Sequence, residues 1–401
     1  MDENERGERR VFAAITDAGL EDFSLEEIIE ILGKNAEIVS KGRCVVKFIA
    51  SYEQACRLCY LAQSIKRCIL VFSDAEISAN LEESAESVSA LLKKEELEFL
   101  KDSSFMVECE RTGSHNFQSV DLAREIGASI MKMVGCHVEF KNPKYMLFSL
   151  AAENHCITGL DFSGFDLSKR EYKIFNHPNS LKGTVAYALF RNGFDAVEKI
   201  GNKNKPSEYS ILNPFCRSGV VAIEGAIFSS RLPIHYFRKD AFSFLGFEFL
   251  KESLDFSQIF SKIDADAVND SDKSFRIFAS DREIRNISSA KKNAKIAGVE
   301  KKIRFSRNDM EWLDIKFDDR IIDSIISDVS LSKIDNREKV WKEFFNQCSL
   351  LLKDSGAISI VSRDEEIMKK FAGEYGFCIS QHKQVWQGQQ LLDFYLIKRK
   401  E

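Results

Sequence analysis

The residues that read most directly as chemistry are one turn and three carboxylates. In ILNPFCRSGVVAIEGAIF, residues 211–228, an apolar strand-like run ends at Leu212 and a short turn carries Asn213 to Gly219. A helix follows, with Glu224, Gly225 and Ala226 in its second turn. The first N–H groups of such a helix lack intrahelical partners and sit at its positive end, so the turn suits a nucleotide-like ligand. Further along, Asp281 closes IFASD, Asp309 follows KIRFSR, and Asp328 closes DSIISD. A carboxylate at a strand end is common in any fold. What favours a nucleotide site is the order of strands around Asp281 and Asp309.

Cys56 and Cys59 form a CxxC, but SYEQACRLCYLAQSI reads as an amphipathic helix with both thiols and Tyr60 on one face. Cys68 alone lies near, and no second CxxC or His pair completes a tetrahedral set. Buried helix thiols are favoured and no metal is expected. In ECERTGSHNFQS, Arg111 and His115 flank a turn at Gly113, a basic loop of the kind that grips phosphates. Ser119 is placed to cap the next helix, whose N-terminal end also suits a phosphate. Taken singly, Gly113 is a turn residue, His115 a surface side chain and Phe117 core. The RNA-binding reading rests on the set in its order.

A chain of 401 residues holds two or three domains. With 44% hydrophobic and 30% charged residues it fits a soluble globular protein with a sizeable core. Apolar runs such as Ala357 to Val361 are far too short to span a bilayer. The opening MDENERGERR is charged, with no apolar stretch behind it, so no secretory signal and a cytoplasmic location are expected. The ten cysteines are then expected to be reduced. The net charge of −5 gives no support for nucleic-acid binding, so RNA affinity must come from local patches. Candidates are Lys41, Arg43 and Lys47; Lys66 and Arg67; Lys132, Lys141 and Lys144; Lys169 and Arg170; and Lys398 to Lys400. Any one of them reads first as a solvated face.

Residues 1–74 run strand, helix, strand, helix, half of a ferredoxin-like unit. Ser24 stands three residues before Glu27, the spacing of a capping box. Residues 75–100 are acidic and helix-prone, and 104–150 read strand, turn, helix, Pro-marked edge strand, strand. A linker begins at AAENHCITGLDFSGF, residues 151–165. From 205 onward strands and helices alternate, the pattern of an α/β, doubly wound, mainly parallel sheet, and FCISQHKQVWQGQQLLDFYLIKRK adds two final antiparallel edge strands.

In this order the chain resembles the THUMP domain-containing class I, Rossmann-like RNA methyltransferases, over essentially its whole length. ECERTGSHNFQS with HVEFKNPKYMLF is similar to the THUMP signature, and FAAITDAGLEDFSLEEI to the family's N-terminal domain. Asp166, Ser168, His177, Pro178, Leu181 and Ala186 match the segment before the catalytic domain. Asn293, Ala294, Ala297 and Gly298 match a helix within that domain. The resemblance, strongest to archaeal tRNA guanine-N2-methyltransferases, implies four parts: 1–74, a ferredoxin-like domain; 75–152, the THUMP RNA-binding domain; 153–204, linker and pre-catalytic segment; and 205–401, the methyltransferase domain. It implies S-adenosyl-L-methionine as cofactor, contacted by Asn213, Phe215, Ser218 and Gly219. Asp281 would hold the ribose, and Asp309 would lie beside the adenine amine. It implies tRNA or another structured RNA as partner, held by Arg111, His115, Ser119 and Lys144. Asp328 would accept the hydrogens of the target guanine amine.

The chain departs from the family's DPFCGSGT loop at Asn213, Arg217 and Val220, from a Gly at Ala279, and from N/D-P-P-Y at Val329, Ser330 and Leu331. Asn213 loses a charge that would engage the cofactor's ammonium end. Arg217 stands where Gly permits positive φ and close approach, so it is expected to fill the pocket, point outward or pair with the cofactor carboxylate. Losing both prolines frees the turn, and losing the ring removes stacking worth roughly 1–3 kcal/mol. Two functions follow: a guanine-N2-methyltransferase with an eroded site, or an inactive THUMP RNA-binding protein or partner subunit.

Overall fold

Alternating apolar residues build the first strand. In β1 (Arg9–Thr16), Phe12 and Ala14 enter one buried cluster while Ala13 and Ile15 enter another, so the strand is covered on both faces. The computed structural model describes residues 9–33, 36–198, 208–269, 274–331 and 336–400. Most of the charged opening segment (residues 1–8) and the expected boundary at 204/205 lie outside these. The chain divides into two compact units, residues 1–167 with 235–263, and residues 168–234 with 264–401. No helix among the described residues is long and apolar enough to cross a membrane.

The first unit continues with α1 (Glu21–Leu32), β2 (Glu37–Gly42), β3 (Val45–Ser51), α2 (Tyr52–Leu61), β4 (Ile65–Glu76) and α3 (Leu81–Leu91). Then come β5 (Ser104–Thr112), α4 (Ser119–Val134), β6 (His137–Val138), β7 (Tyr145–Ala152) and β8 (His155–Asp161). All eight strands join one sheet, ordered β2-β3-β1-β4-β8-β7-β5-β6. The stretch expected as a linker is thus corrected in part: 155–161 is β8, antiparallel to both β4 and β7. In α4, Leu122, Ile126, Ile130 and Val134 recur every fourth residue and are buried. Residues 242–250 bring Phe242, Phe244, Phe247 and Leu250 into the same core, beside Tyr60 and Phe162.

Both expected caps are corrected. Ser24 lies inside α1, which begins at Glu21, and its hydroxyl donates to Thr16 Oγ1. Glu27 is buried and accepts the Gln63 and Ser64 N–H groups at 2.7 and 2.9 Å. Ser119 is the first residue of α4 rather than its cap. Gln118 precedes it, and the Asp121 carboxylate accepts the Gln118 N–H at 3.3 Å. A carboxylate that reaches a buried loop's donors does more there than at an exposed helix end, because buried N–H groups must be paired.

The second unit holds α5 (Gly183–Glu198), β9 (Glu208–Asn213), α6 (Val220–Ser229), β10 (Ser274–Asp281), α7 (Ile284–Ile296), β11 (Ile303–Arg307) and β12 (Ile322–Asp328). It ends with α8 (Arg337–Leu351), β13 (Leu352–Val361), α9 (Glu365–Glu374), β14 (Phe377–Gln387) and β15 (Gln390–Arg399). The sheet order is β11-β10-β9-β12-β13-β15-β14. The first five of these strands run parallel, and β15 and β14 add an antiparallel edge, as the alternation of elements led one to expect. Every residue of β12 is buried, the continuous pattern of a central parallel strand.

Candidate active site

Strand order reverses between β9 and β12, and ligands of doubly wound sheets bind outside the carboxyl ends at such a reversal. Here β9 ends at Asn213, β10 at Asp281 and β12 at Asp328. Beside these ends opens a cleft of about 820 Å³, lined among others by Phe215, Arg217, Asp281, Asp309 and Asp328. That is room for a nucleoside-sized ligand.

Arg217 crosses this cleft. Its backbone lies at φ +46°, the left-handed region. Its N–H donates to Asp281 Oδ2 at 2.9 Å, while its guanidinium pairs with Asp328. The same group donates to the Ser330 carbonyl at 2.7 Å and the Asn179 carbonyl at 3.2 Å. Of the three outcomes expected for this residue, the structure takes the filled cleft, but through Asp328, a partner the sequence did not suggest. Asp328 Oδ1 in turn accepts both the N–H and the hydroxyl of Ser330. The turn that lost its prolines is therefore held by a side-chain hydrogen-bonded turn. Val329 is core, and its N–H donates to the Val361 carbonyl.

Other expected contacts lie away from the cleft. Asn213 is buried and donates through Nδ2 to the Ile326 carbonyl and Ser327 Oγ, clamping β9 to β12, while its Oδ1 has no partner. Ser218 is buried, with its hydroxyl 3.0 Å from Ser180 Oγ. Gly219, at φ +83°, is required by packing: a Cβ there would stand 2.8 Å from that of Ala290. Thus Phe215, Asp281, Asp309 and Asp328 line the cleft, and Asn213, Ser218 and Gly219 build the wall behind it.

Residues 168–182 form a strap tied to the helices. The fully buried Glu224 accepts from Arg170 at 2.8 and 3.2 Å and from the Tyr172 hydroxyl at 2.6 Å. Buried Asn293 exchanges two 3.0 Å hydrogen bonds with the Phe175 backbone and donates to the Ser218 carbonyl. The strap brings His177 and Asn179 onto the cleft. Burial, then the Arg217 charge, holds the His177 imidazole below its ordinary pKa. Burial likewise lowers Lys173 to about 8, its Nζ donating to the Leu181 carbonyl at 2.6 Å. The motif matches at His177 and Asn293 were the available signal for this strap. Asn308, which lines the cleft with a buried and unpartnered Nδ2, carried none beyond adjoining Asp309.

S-adenosylmethionine, the cofactor the resemblance implies, fits this cleft at one end only. Asp281 accepts from Arg217, Glu283 and Asn286 and so has a lone-pair site to spare for a hydroxyl. Asn308 and Asp309 add a donor and an acceptor on the lining. At the other end the Arg217 side chain stands between Asp281 and Asp328, where a donated methyl would have to lie, and there the residues do not fit.

In the first unit, Gly113 is at φ +97° and Arg111 donates to the His115 carbonyl at 3.1 Å. His115 Nε2 donates to the Glu153 carbonyl at 2.6 Å, and Phe117 is core. Arg111 and His115 thus brace their own loop. Lys144 is exposed, its ammonium 5.5 Å from the Tyr145 ring. Most of the expected basic patches are paired: Lys41 with Asp22, Arg43 with Glu153, Lys47 with Asp74, Lys66 with Glu110, Arg67 with Asp161, Arg170 with Glu224. Lys132, Lys141 and Lys144 carry no ion pair among the described residues. Cys56, Cys59 and Cys68 are fully buried, and burial pushes the Cys56 and Cys68 thiols well above their ordinary value.

Comparison with known proteins gives two family matches: the RMKL-like methyltransferase domain over residues 170–392 and the THUMP domain over residues 78–161. A tRNA (guanine(6)-N2)-methyltransferase of Methanocaldococcus jannaschii is 26% identical over 382 residues, 92% of this chain and 95% of the relative. Among solved structures, TrmN from Thermus thermophilus superposes with a TM-score of 0.67 at 21% identity, over 97% of this chain and 99% of that one. SMU.472, crystallised in complex with SAH, gives 0.74 at 17% identity over 98% and 99%. At those identities the two structures speak for the fold alone.

Proposed function

We propose that this chain, which belongs to the RMKL-like methyltransferase family and carries a THUMP domain, is a cytoplasmic tRNA-binding protein whose methyl-transfer site is closed by Arg217. The relative that acts on tRNA at guanine N2, similar across nearly its full length, supports the substrate class. One observation carries the rest: the Asp328 carboxylate, the group that would accept the target amine's hydrogens, is taken up by Arg217 and Ser330. Residues 75–152, with the exposed Lys132, Lys141 and Lys144, would supply the RNA contacts. The loop braced by Arg111 and His115 would present them. Residues 205–401 would keep the cleft as inherited architecture.

A gel shift with unmodified tRNA tests this. Asp328→Ala should leave tRNA affinity unchanged, and Arg111→Ala should weaken it several-fold, about 1 kcal/mol. Absence of any shift by the wild-type chain would overturn the reading. A second reading is an active guanine-N2-methyltransferase in which Arg217 leaves Asp328 when ligands bind. It is favoured by Asp281 and Asp328 both standing on the cleft.

A further inference from the structure

The cleft keeps an adenosine end and alters the end where a methyl donor carries its charge. Arg217 reaches both: its backbone N–H is on Asp281 and its guanidinium on Asp328. Three acceptors hold that guanidinium, Asp328, the Ser330 carbonyl and the Asn179 carbonyl, and its side chain is 14% exposed. It is a built-in cation at a fixed place. S-adenosylmethionine presents a sulfonium cation to that same place, whereas its demethylated thioether, S-adenosylhomocysteine, presents an uncharged sulfur and lacks one methyl of bulk. Asp328 is committed to Arg217 and Ser330 and so does not offset a second positive charge. His177, the neighbouring titratable group on the strap, is itself held toward its neutral form by burial and by Arg217. Across the cleft, Asp281, Asp309 and the unpartnered Asn308 Nδ2 remain for the nucleoside.

We infer that the cleft binds uncharged adenosine thioethers and rejects the sulfonium form, and that Arg217 sets this choice. The inference rests on the reading above, that Arg217 closes the transfer site, and adds what the cleft still accepts. Repulsion built against one of two near-identical ligands is how a site separates them when the attractive contacts are shared. A glycine at this position would remove both the charge and the bulk.

Calorimetric titration of the full chain with S-adenosylmethionine, S-adenosylhomocysteine and adenosine tests it. The wild type should bind the thioether more than about tenfold tighter than the sulfonium. Arg217→Gly should bring the two within about threefold of each other, and Arg217→Met, which keeps the length without the charge, should narrow the ratio in the same direction. Equal binding of both ligands by the wild type overturns the inference. So does a ratio unchanged in both variants, or failure of all three ligands to bind. A tRNA gel shift on the same preparation separates these failures from failure of the tRNA-binding reading, since a chain that shifts tRNA without nucleoside affinity refutes the inference alone.

Discussion

For an L-residue with a Cβ, the left-handed region costs roughly 1–2 kcal/mol, and Arg217 sits there at φ +46°. Breaking a buried ion pair costs about 3–5 kcal/mol, because a charge is left alone. Arg217 and Asp328 side chains are 14% and 7% exposed, so the pair is worth enough to hold the strained backbone. Arg217→Gly and Arg217→Ala lose the same pair, but only Gly relieves the backbone. The alanine variant should therefore be less stable than the glycine variant by about 1 kcal/mol in urea denaturation. Equal stabilities would mean the loop does not keep its positive φ. At this scale the sequence marked Arg217 as an obstruction but hid its partner, because Asp328 is 111 positions away and only the sheet order brings the two together. It also suggested that a turn without proline would be loose, whereas Ser330 restrains it by hydrogen bonds, a local device that a substitution list does not display.

The strap of residues 168–182 is the element that most shapes the cleft's near wall. Its anchors are buried: Arg170 and Tyr172 on Glu224, and Phe175 on Asn293. Lys173 lies among them with its pKa lowered to about 8. A lowered value means the fold prefers the neutral amine. That preference adds stability in full above the ordinary value of 10.5 and is lost as pH falls through about 8. At pH 7 the strap thus carries an ammonium its site disfavours. Lys173→Met should raise the melting temperature relative to wild type more at pH 7 than at pH 9.5, by about 2–4 °C. A difference independent of pH would show that Lys173 is as well solvated folded as unfolded. Elements were legible wherever periodicity decided them, as in α4 and the alternating second unit. They were misread where tertiary pairing decided, as in β8, whose HCITGLD lacks a strict alternation because both faces are covered. The Ser24–Glu27 spacing misled for a similar reason, since Glu27 serves another loop's donors.

At the scale of the molecule, RNA affinity and cleft chemistry are separable properties. Net charge is −5, and most basic patches are neutralised by neighbouring carboxylates, so tRNA binding must be local to surfaces such as Lys132, Lys141 and Lys144. The cleft belongs wholly to the second unit, whose family the comparisons identify over residues 170–392. Whole-chain resemblance made the fold and family readable, because order and spacing of elements survive substitution. The state of the cleft was not readable, because it depends on where one arginine's side chain goes. The most direct measurement is to incubate the wild-type chain with methyl-labelled S-adenosylmethionine and unmodified tRNA, then digest the RNA to nucleosides. Closure by Arg217 predicts bound tRNA with no N2-methylguanosine above a no-protein control. Labelled N2-methylguanosine accumulating over repeated turnovers would contradict it.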